Sequence, residues 1–164
     1  MILREERGEN KTAAYLSMLE RHKGILYKVA RSYAKRSETD DLIQEICLQI
    51  WKSFDKYDIN YAESTWVYRI ALNTCISAYR KERKTEVVPM ENLPVFQQTD
   101  SDHDDQLEEM YRLIQNLHEI DRALLVLHFD GNSHKEIAAI MGFTESNVST
   151  RLSRIRNSLK SMIN

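Results

Sequence analysis

Apolar residues return at three- and four-residue intervals through the first half of the chain: Leu16 and Leu19; Ile25, Leu26 and Val29; Leu42, Ile46, Ile50 and Phe54; Val67, Ile70, Ala71 and Cys75. Such spacing gathers each set on one helical face, so the stretch from Tyr15 to Tyr79 predicts a bundle of about four helices. Breaks are expected near residues 35–39 and across residues 55–64, where DKYDINYAES lacks a helical stripe and ends on Ser64, a suitable N-cap. After Arg83 the periodicity fails. The run KTEVVPMENLPVFQQTDSDHDD contains both prolines and mostly acidic charge, and reads as a flexible linker. Helical spacing resumes at Leu107, Met110, Leu113, Ile114 and Leu117 and continues to the C-terminus, with interruptions near Glu119 and at residues 130–132. The expected fold is all-α: two small helical domains, residues 10–83 and 105–164, joined by a linker over residues 84–104.

The second domain carries the sharpest local signals. Ser133 followed by Glu136 is a capping box, so a helix should start there and bury Ile137, Ile140 and Met141. Gly142 supplies a turn that a residue with a Cβ enters reluctantly. Thr144 can cap a second helix, in which Val148, Leu152, Ile155 and Leu159 form one apolar stripe. Opposite that stripe lie Ser146, Thr150, Ser153 and Asn157, flanked by Ser149 and Arg154, with Asn147 and Arg151 further round. Two short helices with a glycine turn and a polar, basic outer face fit a helix-turn-helix whose small side chains approach a major groove and whose arginines reach guanine edges or phosphates. A helical hairpin with an ordinary soluble face is the plainer account of the same pattern.

Charge alters this picture only through its distribution. The net charge of -2 would disfavour nucleic acid. Residues 1–83 hold 15 Lys and Arg against 12 Asp and Glu, residues 84–130 hold 3 against 11, and residues 131–164 hold 5 against 2. Two mildly basic ends thus flank an acidic middle. Asp100, Asp102 and Asp104 have the alternate spacing of a calcium loop, but Asp105 stands where a Gly is required and Tyr111 where a bidentate Glu is required. A solvated acidic linker, with mimicry of nucleic acid as a further role, accounts for them better. Cys47 and Cys75 lie among apolar neighbours without CxxC spacing, as buried thiols do, and no metal or cofactor is expected. No apolar run is long enough to cross a membrane, and MILREERGEN lacks the apolar stretch of a secretory signal, so the expected compartment is the cytoplasm.

The first domain offers two candidate surfaces. In DDLIQEICLQIWKSFDKYD the core takes Leu42, Ile46, Ile50 and Phe54, leaving Gln44 and Glu45, with Trp51 two turns on, as a partner surface; Trp51 alone would more often be core. In STWVYRIALNTCISAYRKERK, Arg69, Asn73 and Arg80 share a face that follows Trp66 and Tyr68 and ends in a basic run. Interleaved aromatic and basic residues suit unstacked single-stranded bases held beside phosphates, although a basic last turn also complements a helix dipole.

These motifs, in this order, resemble the sigma-70 superfamily, specifically the small extracytoplasmic-function group of RNA polymerase sigma factors that keeps only the second and fourth sigma domains. DLIQE followed by KSFDKY is similar to the family's core-binding helix, STWVYRIALN with AYRKERK to its promoter-melting and minus-ten segment, and EIAAIMGFTESNVSTRLSRIRNSL to its minus-thirty-five helix-turn-helix. The resemblance implies that Asp41, Gln44, Glu45 and Trp51 dock on the clamp helices of the polymerase's largest subunit. It implies that Tyr61, Ala62, Glu63 and Ser64 form a pocket for a flipped-out minus-ten base, with Arg69 and Asn73 nearby and Arg80 and Lys81 on phosphates. Ser146, Asn147, Ser149, Thr150, Arg151 and Arg154 would face the minus-thirty-five element. The partners implied are core polymerase and promoter DNA, and the group also admits a cognate anti-sigma factor. Ser149 stands where relatives often carry a basic residue, and DINYAES is not the commonest loop, so no promoter sequence follows.

Three other functions compete, of which an anti-sigma or scaffold protein would need no DNA-reading surface and so leaves the face from Ser146 to Arg154 unexplained. A stand-alone helix-turn-helix regulator would use the first bundle for dimerisation and bind duplex DNA without polymerase. An enzyme would need a catalytic constellation, and the chain has no HExxH, P-loop or GxSxG, while its five histidines lack ligand spacing. No enzymatic activity is expected.

Overall fold

The computed structural model describes residues 2–85 and 102–163. Eight α-helices make up the described regions: α1 (Ile2–Arg21), α2 (Lys23–Tyr33), α3 (Thr39–Ser53), α4 (Glu63–Thr85), α5 (Asp102–Gln115), α6 (Glu119–Phe129), α7 (His134–Met141) and α8 (Glu145–Ile163). Short 3₁₀ turns at Arg36–Glu38 and Phe54–Lys56 bracket α3. Most of the predicted linker, and with it the acidic-mimic reading, lies outside the described residues. None of the described helices is long and apolar enough to cross a membrane.

In the first domain, α2, α3 and α4 close over Leu26, Val29, Ile46, Ile50, Val67, Ala71, Leu72 and Cys75, all at most 3% exposed. These are largely the positions the three-four spacing picks out. Fully burying one such aliphatic side chain contributes about 1.5–3 kcal/mol. α1 leads into α2 through His22 and adds Met18 to this core. One expected cap is corrected: α4 begins at Glu63, so Ser64 lies inside its first turn and does not cap it. Glu63 instead places an acidic side chain in the first turn, where it complements the positive end of the helix dipole.

The second domain follows its sequence signals closely. Ser133 Oγ accepts from the Glu136 amide at 3.1 Å while the Glu136 carboxylate accepts from the Ser133 amide at 2.8 Å, completing the capping box that starts α7. Gly142 ends α7 with φ 72 and ψ 28, its amide donating to Ala138. Thr144 Oγ1 accepts from the Asn147 amide at 3.1 Å and starts α8. Val148, Leu152 and Ile155 are buried and Leu159 half-buried, as the stripe requires. These residues pack on α6, whose Ala123, Leu124, Leu125, Val126 and Leu127 are buried without interruption.

The two cores are continuous. Tyr33 and Ala30 of α2 and Tyr68 and Ile76 of α4 join Tyr111, Ile114 and Leu117 in one cluster. The second domain therefore packs on the α2–α4 side of the first.

Candidate polymerase and nucleic-acid interfaces

The first candidate surface is the outer face of α3. Asp41, Gln44 and Glu45 are exposed there, with Asp41 in the acidic first turn. Glu45 accepts from Gln49 at 3.0 Å. Trp51 is half-buried: its ring meets Tyr15 edge-on at 4.9 Å, and the Lys11 ammonium lies 4.3 Å from its centroid. It therefore ties α1 to α3 and still presents an edge, combining both readings of it. Leu48, one turn from Gln44 and 44% exposed, is an apolar residue on this face that sequence reasoning missed. An outward leucine between polar neighbours is visible on a helical wheel, and was the available signal.

The second surface is the loop before α4 and the start of that helix. The Tyr61 amide donates to the Asp58 carbonyl at 3.1 Å, the Asn60 amide to the Asp58 carboxylate at 2.9 Å, and the Tyr57 hydroxyl to the Tyr61 carbonyl at 3.0 Å. Those bonds build a turn that leaves Tyr61, Ala62 and Ile59 exposed, Ile59 at 86%. The Arg69 guanidinium lies 5.1 Å from the Tyr61 ring centroid, a cation beside an exposed aromatic face. Glu63 is anchored from the α1–α2 junction: Arg21 donates two bonds to one of its oxygens, at 2.9 and 2.7 Å, and the His22 ring lies 2.9 Å from the same atom. Burial alone would raise the Glu63 pKa, but the bonds from Arg21 and His22 outweigh it and hold the carboxyl below its usual range. Ser64 is half-buried beside it. Ile59 and the Arg21–His22 anchor were not legible beforehand, because the anchor joins residues more than 40 positions apart.

Along α4 the remaining residues divide. Asn73 and Lys81 line a shallow groove with Glu45 and Gln49 of α3, so part of this surface adjoins the first one. Arg69 and Arg80 instead engage the second domain. The Arg69 guanidinium donates to the Ala139 carbonyl of α7, and Arg80 donates to the Glu119 carboxylate of α6 at 2.9 Å. The bond from Arg80 is the main reason that the Glu119 carboxyl sits below its ordinary pKa.

The third surface is the outer face of α8. Ser146, Asn147, Ser149, Thr150 and Arg154 are exposed together. Thr150 donates back to the Ser146 carbonyl at 3.0 Å. Arg151 departs from this group. It donates to Asn147 Oδ1 at 2.7 Å, lies 5.1 Å from the Phe143 ring centroid and 4.0 Å from the Asp121 carboxylate, and is half-buried against its own domain. Its neighbours on α6 and within the helix-turn-helix hold it in position.

No cluster of metal-ligating side chains occurs among the described residues. Cys75 is buried and its thiol pKa is pushed up by burial, while Cys47 is half-buried; both are free.

Comparison with known proteins agrees with this arrangement. The family model for sigma-70 region 2 matches residues 18–85, and that for sigma-70 region 4 matches residues 107–159. The chain is 29% identical to the ECF RNA polymerase sigma factor SigW of Bacillus subtilis (92% of this chain, 89% of the relative). It is 26% identical to the ECF RNA polymerase sigma-E factor of Escherichia coli K12 (99% and 92%). It is 27% identical to the ECF RNA polymerase sigma factor SigM of Mycobacterium tuberculosis H37Rv (92% and 77%). Two solved structures share the fold. CnrH in complex with the cytosolic domain of CnrY is 23% identical, with TM-score 0.71 over 99% of this chain and 95% of that one. The sigma factor RpoE in complex with the anti-sigma factor NepR from Bartonella quintana is 22% identical, with TM-score 0.72 over 92% and 96%. With both regions matched in order across most of its length, the chain belongs to the extracytoplasmic-function group of the sigma-70 family of RNA polymerase sigma factors.

Proposed function

We propose a division of labour among three surfaces of this alternative sigma factor, which binds RNA polymerase core enzyme and directs it to particular promoters. Asp41, Gln44, Glu45 and Trp51, joined by Leu48, are the polymerase-docking face. An aromatic edge and an aliphatic side chain set among hydrogen-bonding groups support that reading, since such clusters dominate binding energy. Tyr61, Ala62, Glu63 and Ser64 receive a minus-ten base, with Arg69, Asn73, Arg80 and Lys81 beside it. Ser146, Asn147, Ser149, Thr150 and Arg154 read the minus-thirty-five element, and Arg151 serves that face by holding Asn147.

The single observation that carries the proposal is the outer face of α8, polar and exposed beyond a capped, glycine-turned α7, in a chain whose first domain is a region 2 bundle. The protein acts in the cytoplasm as an initiation factor and catalyses no reaction itself. A similar fold, the sigma factor RpoE from Bartonella quintana, has been solved in complex with the anti-sigma factor NepR, which supports a partner of that kind here.

Run-off transcription with purified chain, sigma-free bacterial core polymerase and fragments of the source genome tests this. Discrete transcripts that weaken with Gln44→Ala and Trp51→Ala are expected. Duplex DNA binding without core binding or transcripts would instead establish the stand-alone regulator.

A further inference from the structure

The hold on Glu63 is one-sided. Every donor that reaches its carboxylate converges on Oε1: Arg21 Nε at 2.9 Å, Arg21 Nη2 at 2.7 Å and His22 Nε2 at 2.9 Å. Because an ionised carboxylate only accepts, His22 Nε2 carries the hydrogen of its bond. Arg21 is itself held, its Nη1 donating to Ser17 Oγ at 2.7 Å one turn back on α1. His22 is fixed at the α1–α2 junction, where its amide donates to the Met18 carbonyl at 3.2 Å. Among the described residues no donor reaches Oε2, and the Glu63 side chain stays 28% exposed. The clamp therefore orients the carboxylate through one oxygen and leaves the other for a ligand. It also settles the charge. A bare carboxylate in this loop would repel a DNA strand, whereas the Arg21 guanidinium beside it offsets that repulsion.

We propose that Arg21 and His22 are positioning residues of the minus-ten pocket: by fixing Oε1 of Glu63 they present Oε2 as an acceptor for a base amino group, and the pocket thereby rejects thymine. A flipped base is read on its Watson–Crick edge. Cytosine, adenine and guanine each carry an amino group there, and a carboxylate accepts from it. Thymine offers only N3–H, set between two carbonyl oxygens that a carboxylate repels. The anchor matters because a free glutamate side chain loses rotamer freedom on binding and can swing away from a thymine, whereas a clamped one does neither.

The inference rests on the reading of residues 61–64 as the minus-ten pocket, and the experiment separates the two. Holoenzyme assembled from the intact chain and sigma-free core transcribes a promoter recovered by the run-off assay, in versions carrying each base in turn at each minus-ten position of the non-template strand. The readout is transcript yield with thymine relative to the best amino-bearing base. Both templates meet the same protein preparation, so loss of folded protein cancels in that ratio. The parent should discriminate against thymine about 10- to 100-fold at one position. Glu63→Gln keeps an oxygen for Arg21 and His22 but puts a donating amide in place of Oε2, suited to thymine O4, and should abolish or invert the discrimination. Arg21→Ala and His22→Ala leave Glu63 in place and should each lower the discrimination about 3-fold or more as the carboxylate gains freedom to turn. Arg21→Gln replaces Arg21→Ala if that variant yields no transcript. Arg21 and His22 variants that both keep the parent's ratio overturn the positioning role. Thymine accepted at every position, while Tyr61→Ala shifts the base preference at one, overturns the rejection and keeps the pocket. If neither Tyr61→Ala nor Glu63→Gln shifts the preference at any position, residues 61–64 are not the pocket and the inference falls with that reading.

Discussion

Replacing Gly142 by alanine isolates the backbone geometry of the helix-turn-helix. The residue has φ 72 and ψ 28, and a Cβ built on it meets nothing within 4 Å. No clash contributes, so the cost is that of holding an L-residue in the left-handed region, about 1–2 kcal/mol. Alanine also narrows the unfolded ensemble, which returns about 0.4–1 kcal/mol. The net expectation is a loss of about 1 kcal/mol, smaller for Gly142→Asn because Asn tolerates this region, and larger for Gly142→Val because a branched Cβ does not. Urea titrations at 25 °C should show a lower midpoint with an unchanged slope. The melting shift then reports cooperativity. If the docked domains unfold together, about 1 kcal/mol lowers Tm by about 2–4 °C; if the second domain melts alone, by about 4–8 °C. An alanine variant as stable as the parent, or more so, would refute the argument, since chain entropy and not handedness would then decide.

Three further outcomes are expected. Arg122 is buried, donating to Leu117 at 2.8 Å, to the Gln115 carbonyl and to the Tyr79 hydroxyl at 3.1 Å; Arg122→Ala strands those acceptors and should cost about 3 kcal/mol or more in urea denaturation, and a loss under about 1 kcal/mol would contradict it. Glu119 has a depressed pKa, so its contribution is complete above its ordinary value of 4.5 and is lost as pH falls through the lower folded-state value; the stability gap between the parent and Glu119→Gln should be flat above about pH 4.5 and close below it, and a gap that widens in acid would reverse the sign. Cys75, with its thiol pKa raised by burial, should resist iodoacetamide in the native protein and react on unfolding, as mass spectrometry of the alkylated peptide would reveal; rapid native labelling would contradict its placement.

Much of this protein is legible in its sequence because the decisive interactions are local. Ser133 and Glu136, Gly142, and Thr144 with Asn147 each act across at most four residues, and the structure realises all of them. The stripe from Val148 to Leu159 follows from helical periodicity alone. Ser64 misleads because the helix starts one residue earlier, at Glu63, whose carboxylate is held by Arg21 and His22 from a distant part of the chain. The intramolecular contacts of Arg151 were hidden for a related reason. A helical wheel assigns it a direction but says nothing of Phe143 and Asp121, which take up its guanidinium.

The docking of the two domains was partly written in a feature that periodicity analysis passes over. A helix on the surface of a small domain needs one apolar face, and α7 and α8 have one each. By contrast α6 buries Ala123 through Leu127 in succession, which covers every direction around the helix axis. A helix apolar all round must be enclosed. The α7–α8 hairpin covers one side of it, so another structural element has to cover the rest, and α2, α4 and α5 do so. The same helix carries Glu119 and Arg122 at its buried N-terminal end, where an unpaired charge would be costly, and Arg80 and Tyr79 of the first domain meet them. The apolar run ALLVL beside two charged residues therefore requires a partner that is both apolar and polar at fixed positions. In the isolated second domain Glu119 and Arg122 would lose those partners, so any separation of the two domains exposes part of α6 to water or transfers it to another surface.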